Sequence, residues 1–455
     1  MMRVADPRSG QRSGHRASGP EPPGARTAAG VGRGLCAAAL LAALLVALAA
    51  LEERQLIPSA LGTAHRAIYA IAVVAAAVAA CAPAAWRRPV LVAATAVAAP
   101  FALGWWSLAL AAYLAAVVAL ARAPLRVAAK LALALAAWLV VPVLRMWVLD
   151  ADAQADTIVL AMVWAGQLYS AFYVIVERER EPPERRPSVA FDVFYLAALP
   201  RIVVPYFQPI SPGLVAVRER PRMPWRVIAR GAGLGAWGAA SAVAAWHLVR
   251  FVRTLRTLRT LDHPTVQAIV HHRLVFELLR FIGGYAHLTY TIFLAVAVYR
   301  LLGFELPSGF RRPFLSRSFG EFFRSFNHYV RDAVLSLFYF PMLGHLRNHA
   351  RPRIATIGAA YTSIVIGSFL LHDLLVPFAI SVEPAGTFAF YLDPVRIGSM
   401  FALWTLIIIP NAGIAPRRRP AMSRIRTVAA VVAFNALYFA IWFAQREGRA
   451  WFHAH

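Results

Sequence analysis

Cysteine and lysine are almost missing from this 455-residue chain, which has two cysteines and one lysine, Lys130. Cys36 and Cys81 both lie in apolar segments, so neither a disulfide framework nor a cysteine metal site organises the fold. Charge is also scarce: 15% of residues are charged, and 22 acidic residues face 47 basic ones, a net charge of +25. Soluble domains average about 25% charged and about 45–50% apolar residues. Here 60% are hydrophobic and the mean hydropathy is +0.58. That imbalance excludes a secreted or soluble cytosolic protein and makes lipid the main solvent. A large arginine surplus can mark nucleic-acid binding. In this chain it falls in short stretches between apolar runs, the pattern of cytoplasmic loops in a polytopic membrane protein, and no nucleic-acid partner is expected.

The expected fold is an all-α polytopic integral membrane protein of the cytoplasmic membrane, with about nine to eleven transmembrane helices and re-entrant or interfacial segments. Residues 1–33 are rich in Gly, Pro, Ser and Arg, with six arginines against Asp6 and Glu21, and read as a disordered basic cytoplasmic tail. A signal peptide is the rival reading, since Gly34–Leu51 is apolar and Ala47-Leu48-Ala49 resembles a cleavage site. Residues 34–187 form the N-terminal transmembrane region. Its spans are expected at about Ala67–Trp86, Pro89–Leu103, Leu108–Leu120, Leu131–Leu149 and Thr157–Val176. Pro100 and Gly104-Trp105-Trp106 divide a long apolar stretch into a hairpin. Arg87-Arg88, Arg122–Lys130 and Arg178–Arg186 mark one side, and Asp150, Asp152 and Asp156 the other.

Residues 188–382 are less regular, and 383–455 hold C-terminal helices. Phe191–Pro212 is apolar but broken by Pro200, Pro205, Pro209 and Pro212, so it is expected to be re-entrant or packed within protein. Gly231–Val249 reads as an ordinary span, and Leu274–Leu302 is apolar but carries Glu277, Arg280 and His287. Later spans are expected near Ile354–Val382, Ile397–Ile414 and Val428–Phe443.

The most informative stretch runs from Phe319 to Asp373. An aromatic segment too polar to span, Phe322-Phe323-Arg324-Ser325-Phe326-Asn327, leads through Phe340-Pro341-Met342-Leu343-Gly344 and a basic loop into an apolar helix holding Ser368, His372 and Asp373. An Asp at the centre of a span disfavours insertion by about 2.5–3.5 kcal/mol, so such a group faces a bundle interior or a watered cavity. The competing reading is a structural histidine bonded to a neighbouring helix.

This order of motifs resembles the membrane-bound O-acyltransferase family. Phe322-Phe323-Arg324-x-Phe326-Asn327 is similar to its aromatic-aromatic-Arg-x-aromatic-Asn/His motif, and Phe340-Pro341-x-Leu343-Gly344 to the aromatic-Pro-Leu segment that follows. His372, 45 residues after Asn327, falls where the family keeps its embedded histidine. Phe191-Asp192 through Leu199-Pro200-Arg201-Ile202-Val203 is similar to its broken segment. Asp373 and Leu371 depart from the residues the family often has beside that histidine. The resemblance implies transfer of an acyl group from a thioester, acyl-CoA, to a hydroxyl, with no metal and no bound cofactor. His372 would be the base and Asn327 an oxyanion donor, with Arg324, Asp373 and Ser368 in support.

Four arginines at a spacing of three, Arg250, Arg253, Arg256 and Arg259, follow a span directly. They are expected to form an interfacial helix that binds anionic lipid heads, with donor phosphates and voltage sensing as rivals. A strict count of spans puts this ladder outside, against its charge. Glu52-Glu53 after the first span supports an alternative function, a polytopic lipid-linked glycosyltransferase, although a charged pair ending a helix is the simpler account. A transporter or channel would instead use His372, Asp373, Glu277 and Arg280 as a polar pathway, but no repeated halves support it.

Overall fold

The computed structural model describes residues 28–57, 64–148, 158–180, 189–197, 200–203, 218–219, 224–258, 273–309, 315–318, 321–322, 325, 328–363, 365–367, 425–437 and 439–440. The described chain is almost entirely helical. Its first helices are α1 (Ala28–Glu53), α2 (His65–Cys81), α3 (Ala84–Leu103), α4 (Trp106–Arg122), α5 (Val127–Val148) and α6 (Ile158–Arg180). Two short pieces follow, α7 (Val189–Leu196) and α8 (Pro200–Val203), then the long pair α9 (Trp225–Leu258) and α10 (Arg273–Leu301). After α11 (His328–Ala333) come a π-helix (Val334–Tyr339), α12 (Phe340–Arg347) and α13 (Pro352–Ser363). A last apolar helix, α14, covers Ile425–Leu437. The one sheet described is a two-residue antiparallel pairing of β1 (Arg218–Glu219) with β2 (Phe304–Glu305).

Two of these helices, across Gly30–Glu53 and Val127–Arg145, are long and apolar enough to cross a membrane. Shorter apolar helices lie at His65–Cys81, Trp106–Arg122, Thr289–Leu301 and Ile425–Leu437. A 17-residue helix rises about 26 Å, slightly less than a hydrocarbon core of about 30 Å. Large apolar side chains point outward along them, among them Val46, Val74, Val97, Phe101, Leu108, Val140 and Val432, each more than half exposed. Apolar surface on that scale is compatible with membrane association.

Turns end the helices where the sequence signals them. Gly104 takes φ 56° after α3, so the apolar stretch folds into the expected α3–α4 hairpin. The second span closes earlier than expected. Helix α2 stops at Cys81, and Pro83 caps α3, which therefore starts before Trp86, Arg87 and Arg88. Of the broken stretch Phe191–Pro212, the described parts are α7 and the single turn α8.

Helix α6 is central: nearly every residue from Leu160 to Val176 is buried. The indoles of Trp138 and Trp164 each donate to the other's backbone carbonyl at 2.8 Å, tying α5 to α6. Small residues let other helices approach closely, as is usual for helices in lipid. A Cβ on Gly238 would lie 2.8 Å from Leu294 and one on Gly231 3.0 Å from Arg300, so α9 and α10 pack antiparallel. Gly235 lies against Leu44, and the Trp246 indole donates to the Gln55 carbonyl at 3.0 Å, so α9 runs parallel to α1.

These registers give the bundle two distinct ends. One gathers Arg87, Arg88, Arg122, Lys130, Arg178 and Arg300. Arg87 donates to the Leu302 carbonyl at 2.6 Å, lies over Phe304 and fills the space beside Gly303, whose φ is +97°. Arg88 lies over Phe191 at 4.8 Å. Asp192, wholly buried on α7, accepts from Arg122 at 2.8 Å and from both Nε (3.2 Å) and Nη2 of Arg178. Lys130 pairs with Glu179 beside them. The opposite end carries Glu52, Glu53 and His65.

Removing Asp192 strands the buried Arg178 guanidinium without its carboxylate. Asp192→Ala is expected to destabilise the protein by about 3–5 kcal/mol. Melting of the purified protein in detergent will check this, and Asp192→Ala combined with Arg178→Met should recover part of the loss.

Candidate functional site

The aromatic motif begins against the C-terminal helix. Phe322 is buried and its ring meets Phe434 of α14 at 5.5 Å. Ahead of it, Glu321 accepts from the backbone and guanidinium of Arg317 at 3.0–3.2 Å, and its N–H lies 3.3 Å from the Ser318 hydroxyl. Helix α11 (His328–Ala333) is fixed by buried Tyr329, which donates to the Pro307 carbonyl.

At Val334 the backbone widens into a π-helix, so that the Phe340 N–H reaches the Leu335 carbonyl. Such segments are rare and often mark functional sites, because the extra residue per turn re-aims the side chains around it. The second motif then forms α12. Pro341 sits in its first turn, directly after the π-helix. Leu343 packs on Ala355 and Ala359 of α13, so α12 and α13 fold back as a small hairpin.

A second widened turn at 365–367 follows α13 and returns to the first. A Cβ on Gly367 would lie 2.6 Å from Phe338 and 3.3 Å from Val334, so only glycine allows this contact with the π-helix. From α6, the fully buried Tyr169 donates its hydroxyl to the Gly367 carbonyl at 3.3 Å. The chain that follows Asn327 therefore meets the chain that precedes Ser368 and His372, and a tyrosine of the central helix holds the junction. Gln167 and Ser170 are also buried on α6, Gln167 donating to the Leu196 carbonyl at 3.1 Å. This interior strip is polar although it lies within an apolar bundle. His372, Asp373, Ser368, Asn327 and Arg324 themselves lie outside the described residues.

The opposite end of the bundle holds an ionic cluster of which the sequence reading recognised only the acids. Tyr69 donates to Glu52 at 3.0 Å, and the His65 ring lies 3.6 Å from Glu52 on one nitrogen and 3.6 Å from Glu53 on the other. Arg66 holds Glu53 at 2.7–2.8 Å. The helical spacing of His65, Arg66 and Tyr69 was the available signal, since it puts three partners for the Glu pair on the first turns of α2. Among the described residues, no group of three or more His, Cys, Asp or Glu side chains is arranged to hold a metal ion.

Arg250, Arg253 and Arg256 occupy the last described turns of α9, on one continuous helix with Gly231–Val249. Arg250 is exposed, and Arg259 lies outside the described residues. Because Trp246 is level with Gln55, the ladder stands at the end of the bundle away from Arg87, Arg122 and Arg178.

No family model matches this chain, and no curated protein is similar to it. Its chemistry therefore has to be argued from its own residues.

Tyr169→Phe keeps the packing of the ring and removes one buried hydrogen bond, for an expected loss of about 0.5–1.5 kcal/mol. Gly367→Val should be far more damaging, because the added carbons meet Phe338. Thermal unfolding of both variants in detergent checks the order: if Gly367→Val melts like wild type, the described junction is wrong.

Proposed function

We propose that this chain is a multi-pass protein of the cytoplasmic membrane, with about nine to eleven helices, that transfers an acyl group from acyl-CoA to a hydroxyl acceptor. The observation that carries this reading is the seating of Gly367 on the π-helix between Val334 and Phe338. It joins the segment after Asn327 to the segment before His372, the two stretches on which the acyltransferase resemblance rests. Supporting it are the polar interior of α6 and the apolar outer faces of the surrounding helices.

The chemistry follows from the residue types. His372 is the base in this reading, since a neutral imidazole can accept a proton. The acceptor hydroxyl attacks the thioester carbonyl as His372 takes its proton, and the carbonyl oxygen gains negative charge that the Asn327 amide N–H stabilises. Collapse of this intermediate expels the thiolate, which leaves as the thiol with the proton from the imidazolium. In this reading Arg324 serves an anionic part of a substrate, and Asp373, the sequence neighbour of His372, pairs with an arginine.

Incubating the purified protein in detergent with labelled acyl-CoAs and scoring thioester cleavage or transfer tests the reading. His372→Ala is expected to abolish turnover while the protein melts as wild type, and full activity in this variant eliminates the base. Asn327→Ala should lower turnover by about 10²–10³-fold. Chelators should leave activity unchanged. If EDTA and Glu52→Gln abolish turnover instead, the glycosyltransferase reading takes its place.

A further inference from the structure

The hairpin of α12 and α13 turns through His345–Arg353, a stretch that the acyl-transfer chemistry leaves unused. Arg347, Arg351 and Arg353 are exposed there, together with His345 and His349, whose rings stand 5.1 Å apart. The sequence places no acidic residue between Phe340 and Gly367. Among the described residues no carboxylate pairs with any of the three guanidinium groups. Asp332, the nearest acid before them in the chain, is bound by Arg331 at 2.7 Å. Nor does every one of these charges serve its own helix. Arg353 lies in the first turn of α13, at the positive end of the helix dipole, which disfavours a cation. Three positive charges on one turn therefore face outward.

Height and neighbours decide what they can meet. Tyr169, which binds the carbonyl of Gly367, is the midpoint of α6. Phe338 packs on Gly367 at that level. Measured along the helices, Arg347 lies about 13 Å beyond Phe338, and Arg353 lies about 21 Å from Gly367. Half of a hydrocarbon core of about 30 Å is about 15 Å. With α6 crossing the membrane, a step that rests on the multi-pass part of the proposed function, the tip stands where hydrocarbon gives way to headgroups. Its apolar neighbours fit that depth. Ile354, directly after Arg353, is 59% exposed, and Phe340, at the start of α12, is 49% exposed. A soluble anion would use the arginines and leave both side chains in water. A bilayer surface takes up charge and apolar side chains together.

We propose that the tip of the α12–α13 hairpin is a docking surface for anionic phospholipid headgroups, with Arg347, Arg351 and Arg353 on the phosphates and Ile354 at the acyl-chain boundary. Seating the tip fixes the free end of a hairpin whose base, at Phe338 and Gly367, joins the two stretches of the candidate site.

The test uses the full-length chain with Cys36→Ser and Cys81→Ser, carrying bimane on Asn348→Cys, in vesicles of equal phosphatidylglycerol and phosphatidylcholine. One lipid at a time bears a spin label near its headgroup, which quenches a neighbouring bimane. Comparing the two gives the preference of the tip for the anionic lipid. That preference should be about tenfold or more at low salt and fade as salt rises, because the attraction is ionic. Arg351→Gln with Arg353→Gln should lower it by about fivefold or more, since one arginine near an anionic surface is worth about fivefold. Arg351→Lys with Arg353→Lys, which keeps the charge, should stay within about threefold of the parent. Three results would overturn the proposal: equal quenching by both lipids, a preference untouched by the glutamine variant, or loss of the preference on adding free coenzyme A. The last would make the tip a site for a soluble phosphate donor. Bimane on Val140→Cys, at an exposed position of α5, separates this proposal from the reading it rests on. No quenching there by either lipid defeats the multi-pass reading as well. Quenching at Val140→Cys with no preference at Asn348→Cys defeats the docking surface alone.

Discussion

A carboxylate with no exposed surface sets the terms for the whole basic end. Asp192 cannot remain charged in a low-dielectric interior without opposite charges in contact, and it has two, Arg122 from α4 and Arg178 from α6. Meeting that demand places three helices. The short helix α7 is then held on its remaining sides by rings: Phe191 beneath Arg88 and Phe194 stacked on Phe304 at 5.1 Å. Phe304 in turn receives Arg87, which ties α3 to the end of α10. One buried acid thus specifies how five elements meet, and the short helix α7 acquires a fixed frame.

Away from that end, the bundle relies on close approach rather than charge. Glycines at 231, 235 and 238 bring α9 against α10 and α1, and reciprocal indole bonds lock α5 to α6. Close contact and buried hydrogen bonds hold these helices together, a mode of packing that small residues at a helix interface permit. This leaves the two ends of the molecule with different characters. The basic end is cross-linked by ion pairs, while the far end extends as the long α9–α10 pair, past the level of Gln55.

The candidate site was legible as an order of motifs but not as an arrangement. Phe322 through Asn327, the Phe340–Gly344 segment and His372 can be read in line, because aromatic clusters and an ionisable pair in an apolar run stand out in composition. Nothing in that line indicates a π-helix at Val334–Tyr339, since the extra residue per turn arises from packing and not from propensity. Nor does it indicate Tyr169, which lies 198 residues before the carbonyl it binds and looks like any apolar-helix tyrosine. Likewise Asp192 was visible only as a member of a broken segment, and its two arginines belong to loops that had been assigned to topology alone.

By itself the sequence determined class and punctuation. Apolar runs, proline breaks and glycine turns are local properties, so the helical fold, the α3–α4 hairpin and most helix positions followed from neighbours along the chain. Ladder spacing was equally local, which is why four arginines on one broad face could be seen without knowing where that face stood. Only the tertiary structure decided which ends share a side, since parallel and antiparallel packing depend on contacts between residues such as Leu44 and Gly235 or Trp246 and Gln55. It also joined Arg250, Arg253 and Arg256 to Gly231–Val249 in one helix, because the i→i−4 backbone bonds run on through the described residues of α9.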